Sequence, residues 1–268
     1  MKRILTIQDL SCVGRSSLTV AHPILSAMGI NCSVLPTTVL STHTGFPQPH
    51  VRCLTQEIVP IANHLRQVGA SFDGILVGYL SDTQQAEAVL EVMNTFDCPV
   101  ILDPAMADHG RLYTGISRDH ISAMRDLAAM AEVVLPNVTE ASMLTGLPYR
   151  EQTDGHYLRM LLEGLFRMKT QTVVITGTSP NPSQIGYVGI QARDGMFSYH
   201  TDKRSKALHG TGDMFSAVFA GAYLLGRDPM QACELAANFV ERVLDNTPEV
   251  SPFGGEFETQ LPWLWRQL

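Results

Sequence analysis

Six short apolar runs, each followed by a segment of helical length, constrain this chain more than any other feature. They fall at residues 3–8, 31–39, 75–77, 99–102, 132–135 and 172–177. Runs of this kind suit strands buried on both faces, and strands that alternate with helices imply parallel pairing with crossover helices. The expected helices lie at 16–28, 56–68, 82–96, 117–131, a short one ending at Gly146, and 154–168. Ser81 or Asp82 is the expected cap of the third. The predicted architecture is α/β, a mostly parallel central sheet with helices on both sides. The chain has 268 residues, 45% of them hydrophobic, enough for a substantial core. No repeat or low-complexity linker divides it, so residues 1–268 are expected to form a single domain. Ligands of such sheets sit beyond the carboxyl ends of the strands. Ser11, Thr44, Tyr79, Asp103, Asn137 and Thr176 gather at those ends.

Late in the chain comes His209-Gly210-Thr211-Gly212-Asp213, then an apolar segment from Met214 to Leu225 that reads as a buried helix closed by Gly226. The glycine pair therefore lies where a loop becomes a helix N-terminus. Free backbone N–H groups and the positive end of the helix dipole suit a phosphate or a developing anion there. A carboxylate beside such an anion site belongs there if it accepts a proton or holds a metal. The pentapeptide alone fits equally well as a plain cap, with Thr211 or Asp213 capping and the glycines turning the chain. Asn137-x-x-Glu140 sets two oxygen donors one turn apart, as Mg²⁺ prefers; by itself Glu140 equally well opens a helix. His43 in its hydroxyl-rich loop, Tyr79 and Asp103-Pro104 each have an ordinary structural reading too.

Several function classes drop out. A net charge of −7 argues against nucleic acid and anionic membrane surfaces as partners. No run is long enough to span a bilayer, and no signal peptide opens the chain. Five scattered cysteines without C-x-x-C spacing fit reduced thiols in a cytoplasmic protein. There is no G-x-x-x-x-G-K-[ST], no G-x-G-x-x-G after the first strand, and no protein-kinase motif pair. Residues 105–115 form a candidate flap whose composition predicts no buried apolar face. Residues 185–190 and 196–200 read as a hairpin around Asp194-Gly195, 228–246 as a helix, and the remainder as a polar tail containing Trp263 and Trp265.

Taken in order, these segments resemble the pyridoxal kinases of the ribokinase superfamily, over nearly the whole chain. Ile7-Gln8 with Ser11 is similar to the loop whose serine bonds the pyridine ring. Ser41-Thr42-His43-Thr44-Gly45-Phe46 resembles a substrate segment S-N-H-T-G-Y, with Thr42 in place of asparagine; Gly78-Tyr79-Leu80 is similar to a segment whose tyrosine lines the pocket. Asp103-Pro104, Asn137-x-x-Glu140, the strand end at Thr176 and Gly210-Thr211-Gly212-Asp213 match the phosphate, magnesium, triphosphate and catalytic elements in turn. Leu135 stands where some members have a threonine.

The resemblance implies a ribokinase-like three-layer αβα sandwich and an ATP-dependent kinase for the 5′-hydroxymethyl group of pyridoxal, pyridoxine or pyridoxamine. Asp213 would be the base, with Gly210, Thr211 and Gly212 holding the transferring phosphoryl group. Ser11, His43, Thr44 and Tyr79 would bind the vitamer. Asp103, Asn137, Thr176, Thr211 and Gly212 would meet the nucleotide, and Glu140 with Asp103 would serve Mg²⁺. A monovalent cation, K⁺, and a homodimer are implied by the resemblance only. Hydroxymethylpyrimidine kinase activity and a non-catalytic ligand-binding relative are the alternatives.

Overall fold

The computed structural model describes residues 1–192, 195–248 and 251–268. In chain order the elements are β1 (Arg3–Ser11), α1 (Leu18–Ala27), β2 (Asn31–Leu40), β3 (Val51–Cys53), α2 (Thr55–Gln67), β4 (Gly74–Val77), α3 (Thr83–Thr95) and β5 (Val100–Leu102). There follow β6 (Ala107–Asp108), β7 (Arg111–Leu112), α4 (His120–Met130), β8 (Val133–Val134), α5 (Val138–Thr145), α6 (Gly155–Phe166) and β9 (Thr172–Thr178). The chain closes with β10 (Gln184–Gln191), β11 (Gly195–Asp202), α7 (Thr211–Leu224), α8 (Pro229–Asn246) and α9 (Leu261–Trp265).

One nine-stranded sheet runs in the order β11-β10-β9-β8-β5-β4-β1-β2-β3. The six apolar runs are its parallel centre, β2, β1, β4, β5, β8 and β9. Strands β3, β10 and β11 extend it with antiparallel pairs. Alternate residues of the central strands feed two separate cores. Leu5, Ile75, Val77, Leu102 and Val134 face one side, together with apolar residues of α2 to α6. Ile4, Leu76, Ile101, Val133 and Val174 face the other, together with α1, α7, α8 and α9. Three layers result. Strand β1 pairs with β2 on one side and β4 on the other, so the crossovers change direction between β1 and β4. In sheets of this kind ligands bind at that point, beyond the carboxyl ends of the strands.

Local chemistry explains the helices. Asp82, one of the two expected caps, accepts a bond from the Gln85 N–H at 2.9 Å. Asp228 and Gln231 form a capping box ahead of Pro229, and Ala232, Leu235, Ala236, Phe239 and Val243 give α8 one buried stripe at helical spacing. Helix α7 is buried almost all round because it lies between the sheet and its neighbouring helices.

Three expectations need correction. Strand β3 was not predicted: its three residues are all exposed, so they carry no alternation to read. The 105–115 segment does bury apolar surface, since Met106 and Ala107 are inaccessible and β6 pairs with β7 as a small hairpin. The polar tail is part of the core. Phe257 and Leu264 are buried, and Trp263 lies against Phe239 with Arg242 stacked 4.8 Å from its ring centre. The predicted hairpin of β10 and β11 is present, but its turn residue Asp194 lies outside the described residues.

The tail assignment predicts a contrast between two neighbours. Leu264→Ala removes a wholly buried side chain and should cost about 2–4 kcal/mol in denaturant unfolding. Trp265→Ala, at a residue 61% exposed, should cost well under half of that. Equal small losses would show that the tail is not core.

Candidate active site

The site is built on the ends of β1, β4, β5 and β8 and on the start of α7. Helix α7 begins at Thr211, with Gly210 as its N-cap at φ 82°. A Cβ on Gly210 would lie 2.2 Å from the Arg15 carbonyl oxygen, so glycine is needed both for the backbone turn and for the close approach. The capping alternative is overturned, because neither Thr211 nor Asp213 caps the helix. The first internal helical bond runs from Met214 N–H to Gly210 O. The N–H groups of Thr211, Gly212 and Asp213 thus point out of the helix start, where an anion is favoured.

Asp213 sits in that first turn, half-buried. Burial pushes its carboxyl up to about 8; the negative charges of Asp103 and Asp9 add to the shift, while the Ser17 N–H opposes it. Asp103 follows β5 and accepts a 2.8 Å bond from Ser216 Oγ, one turn beyond Asp213 on α7. Glu140 is 2% exposed. Its Oε2 accepts the Asn137 N–H at 2.9 Å, and its Oε1 accepts those of Met106 and Ala107 at 3.1 and 3.3 Å. Burial raises the pKa of both Asp103 and Glu140, and for Glu140 the nearby Asp103 charge raises it further.

Asn137 completes a capping box with Glu140, and its Nδ2 donates to the Ala107 carbonyl at 2.7 Å. The helix-start reading of Glu140 is therefore correct as geometry, and the same carboxylate also pins the β6–β7 hairpin. Thr176 lies beside Asn137 through an isolated parallel bridge. Burial raises the pKa of Tyr113, just past β7, and the charges of Glu140, Asp108, Asp103 and Asp213 add to it.

The second half of the site adjoins β1. Pairing with β2 slips register between Gln8 and Leu10, a bulge that re-aims Asp9. Asp9 is 5% exposed and receives a long 3.4 Å bond from Ser11 Oγ. Burial pushes its carboxyl up to about 6 against the hydroxyls of Ser17 and Ser11. Ser17 adopts φ 48°, in the left-handed region, at a cost of order 1–3 kcal/mol. Its side chain lowers the pKa of Asp9 and its N–H that of Asp213. Tyr79, just past β4, is pushed up to about 12, first by burial and then by the Asp9 charge.

Residue His43 is buried, with its Nε2 2.9 Å from Pro252 O and its Nδ1 accepting the Gly45 N–H at 3.1 Å. Both nitrogens are engaged within the chain, and burial lowers the pKa of the ring. The ring packs 4.6 Å from His209, which ties the 41–46 loop to the glycine turn. Thr44 is exposed on that loop.

Asp103, Glu140 and Asp213 are thus drawn together at the strand ends, with Asn137 bonded to Glu140 and Thr176 beside Asn137, while Ser11 is wholly buried next to Asp9 and Tyr79 follows β4. Sequence reasoning missed Asp9, Ser17, Ser216 and Tyr113. Only Ser216 carried a signal, at helical spacing from Asp213.

A divalent cation fits this donor set. Asp103, Glu140 and Asp213 are desolvated carboxylates, and none forms an ion pair with Lys or Arg among the described residues. Among those residues no group of three ligating side chains could hold a metal alone.

Comparisons agree with this geometry. A family model described as phosphomethylpyrimidine kinase matches residues 27–257. A pyridoxine/pyridoxal/pyridoxamine kinase of Bordetella pertussis is 30% identical, with 92% of this chain and 89% of that protein covered. A Bacteroides thetaiotaomicron protein with a provisional phosphomethylpyrimidine kinase assignment, crystallised with pyridoxal, superposes with a TM-score of 0.93 at 31% identity, covering 98% of this chain and 95% of that one. Pyridoxal kinase from Lactobacillus plantarum gives 0.91 at 28% identity, covering 100% and 98%. With the match spanning both the glycine turn and the strand-end carboxylates, the chain belongs to the phosphomethylpyrimidine kinase family and, with its pyridoxal kinase relatives, to the ribokinase superfamily.

Proposed function

We infer that the protein is an ATP-dependent kinase that phosphorylates the 5′-hydroxymethyl group of pyridoxal, pyridoxine or pyridoxamine. The observation that carries this reading is the desolvated Asp213 carboxyl in the first turn of α7, at the helix start whose N–H groups are open. Asp213 takes the proton of the attacking hydroxyl, a role worth roughly 10²–10⁴ in rate. The N–H groups of Thr211 and Gly212, with the turn at Gly210, receive charge that develops on the transferring phosphoryl group. Asp103 and Glu140 are the residues that would hold Mg²⁺ through its waters, and the ion would supply charge neutralisation on the phosphates. Asn137 and Thr176 line the nucleotide side.

Ser11 and Tyr79 border the vitamer ring. Thr44 closes over it, and His43 positions that loop through His209 rather than through a free nitrogen. The reading takes residues 1–268 as a single ribokinase-like domain acting as a homodimer with K⁺ near the anion turn. Sedimentation and a comparison of K⁺ with Na⁺ buffers test the last two points. Among the described residues no helix is long and apolar enough to cross a membrane.

Hydroxymethylpyrimidine is the less supported alternative substrate, kept because one relative is named a hydroxymethylpyrimidine/phosphomethylpyrimidine kinase. Turnover with each vitamer and with hydroxymethylpyrimidine decides between them. Vitamer phosphorylation should dominate, and turnover confined to the pyrimidine would replace this reading.

Asp213→Asn should cut turnover by at least about a hundredfold and leave ATP binding largely intact. The same substitution should stabilise the free protein at high pH. The folded pKa of about 8 lies above the ordinary value of 3.8. The group's favourable contribution is therefore complete below about pH 4 and is lost as pH rises through 8. At pH 9 the variant should melt a few degrees above the parent, since roughly 1–2 kcal/mol remains after solvent screening at the open edge. At pH 4 the two should coincide. Equal melting at both pH values would remove the desolvated carboxylate from the account.

Glu140→Gln should shift the Mg²⁺ activation curve to higher concentration and slow turnover. It should also loosen the 105–115 hairpin in hydrogen exchange, because Glu140 Oε1 bonds the hairpin base. An unchanged magnesium titration would take Glu140 out of the site.

A further inference from the structure

The loop after β2 and the glycine turn before α7 are joined by two imidazole rings seated in glycine notches. His43 lies over Gly14, where a Cβ would fall 2.3 Å from its Cδ2. His209 lies over Gly45, where a Cβ would fall 2.6 Å from its Nε2 and 2.8 Å from His43 Cε1. The two rings pack at 4.6 Å, tilted by 37°. Neither notch admits a methyl group without displacing a ring, so the contact has no slack. Phe46 extends the cluster, 4.9 Å from His43 and 5.5 Å from Phe253.

The backbone of His209 is held from its other side. Its carbonyl accepts the Gly255 N–H at 3.2 Å, and the Phe253 carbonyl accepts the Arg15 N–H at 2.8 Å. The next residue, Gly210, lies against the Arg15 carbonyl. His43 is tied to the same 252–255 segment through Pro252 O. That segment is a common anchor, and the His209 ring is the direct link between the 41–46 loop and the turn. His209 is exposed, so its ring does not serve to fill the core. The reaction described above gives it no chemical role.

The position of this ring has a consequence for both substrates. A vitamer that draws in the 41–46 loop shifts the surface on which His209 rests. His209 adjoins Gly210, whose φ of 82° sets the direction of the N–H groups at the α7 start. A phosphate on those N–H groups fixes the turn, and through the ring it fixes the loop.

We propose that His209 is a positioning residue that couples the two substrates: its ring transmits the position of the 41–46 loop to the Gly210 turn, so that vitamer and nucleotide tighten one another's binding. The proposal rests on the reading of the protein as a vitamin B6 kinase.

The test is equilibrium binding of pyridoxine with and without a saturating β,γ-imido analogue of ATP and Mg²⁺. The parent, His209→Ala, Gly45→Ala and the double variant are compared. In the parent the analogue should tighten pyridoxine about three- to tenfold, the range that one aromatic pair carries. Pyridoxine should tighten the analogue by the same factor, since coupling is reciprocal. In His209→Ala the factor should fall to about one, while pyridoxine alone binds as it does to the parent. Gly45→Ala tests the notch without touching the histidine. Gly45 lies outside the left-handed region, so the added methyl acts on the rings and not on the backbone. Its coupling should fall as well, and the double variant should show no further loss.

Hydrogen exchange reads the link directly. Pyridoxine alone should slow exchange of the Thr211, Gly212 and Asp213 N–H groups in the parent and leave it unchanged in His209→Ala. A parent without coupling overturns the proposal. So does coupling that survives His209→Ala or Gly45→Ala, or a loss of pyridoxine affinity in His209→Ala that is equal with and without the analogue. Vitamer turnover in a parent that shows no coupling removes this proposal alone. A parent that phosphorylates no vitamer removes the vitamin B6 reading and the proposal with it.

Discussion

Keeping carboxylates out of water at one end of the sheet is the constraint on which the rest of this structure depends. Asp103, Glu140 and Asp213 converge there, and Asp9 lies beside them. No fold gathers such groups for stability, since desolvation and mutual repulsion both oppose it. The surroundings compensate piecemeal. Three backbone N–H groups hold Glu140, and a helix-borne serine holds Asp103. Among the described residues no lysine or arginine pairs with these carboxylates; in the proposed reaction a metal-bound nucleotide would bring the positive charge.

The sheet makes this convergence possible. Because the crossovers reverse between β1 and β4, the loops after these two strands diverge and leave room between them. The α7 N-terminus approaches the same strand ends from the face that carries Ile4, Leu76 and Val174. Glu140 and the small hairpin approach from the opposite face. Donor and acceptor halves of the reaction are thus held by different layers, and the rigid sheet fixes the gap between them.

Much of this was legible beforehand because it depends on period and composition. The six parallel strands are apolar runs, and short apolar runs between helices have few other uses. Gly210 and Asp213 were legible because a glycine turn before a buried helix is a local event. The misses are non-local. Strand β3 forms because β2 offers an edge, not because Val51–Cys53 are apolar or alternate. Asp9 reads as part of a turn until the register slip against β2 shows it turned inward. Ser17 is an unremarkable serine in sequence, and its backbone conformation follows from what it must reach. His43 was legible as a site residue by resemblance, but its engagement with Pro252, more than two hundred positions away, could not be seen locally.

The order in which the layers are completed bears on how the chain is made. Strand β1 is synthesised before the helices that cover it and lies near the centre of the sheet. One of its faces is covered by α1 and by α7, α8 and the short α9, which come much later in the chain. Until those later helices leave the ribosome, Ile4 and the α1 residues Ile24 and Leu25 have only one another and the neighbouring strands to pack against. The nascent chain must carry the uncovered apolar surface until then. Folding of this layer is therefore a late, long-range event, with the slow closure and exposure to aggregation that high contact order brings. The helix that carries Asp213, the proposed base, is also one that covers β1, so a chain that stops short of it lacks both that carboxyl and a finished core.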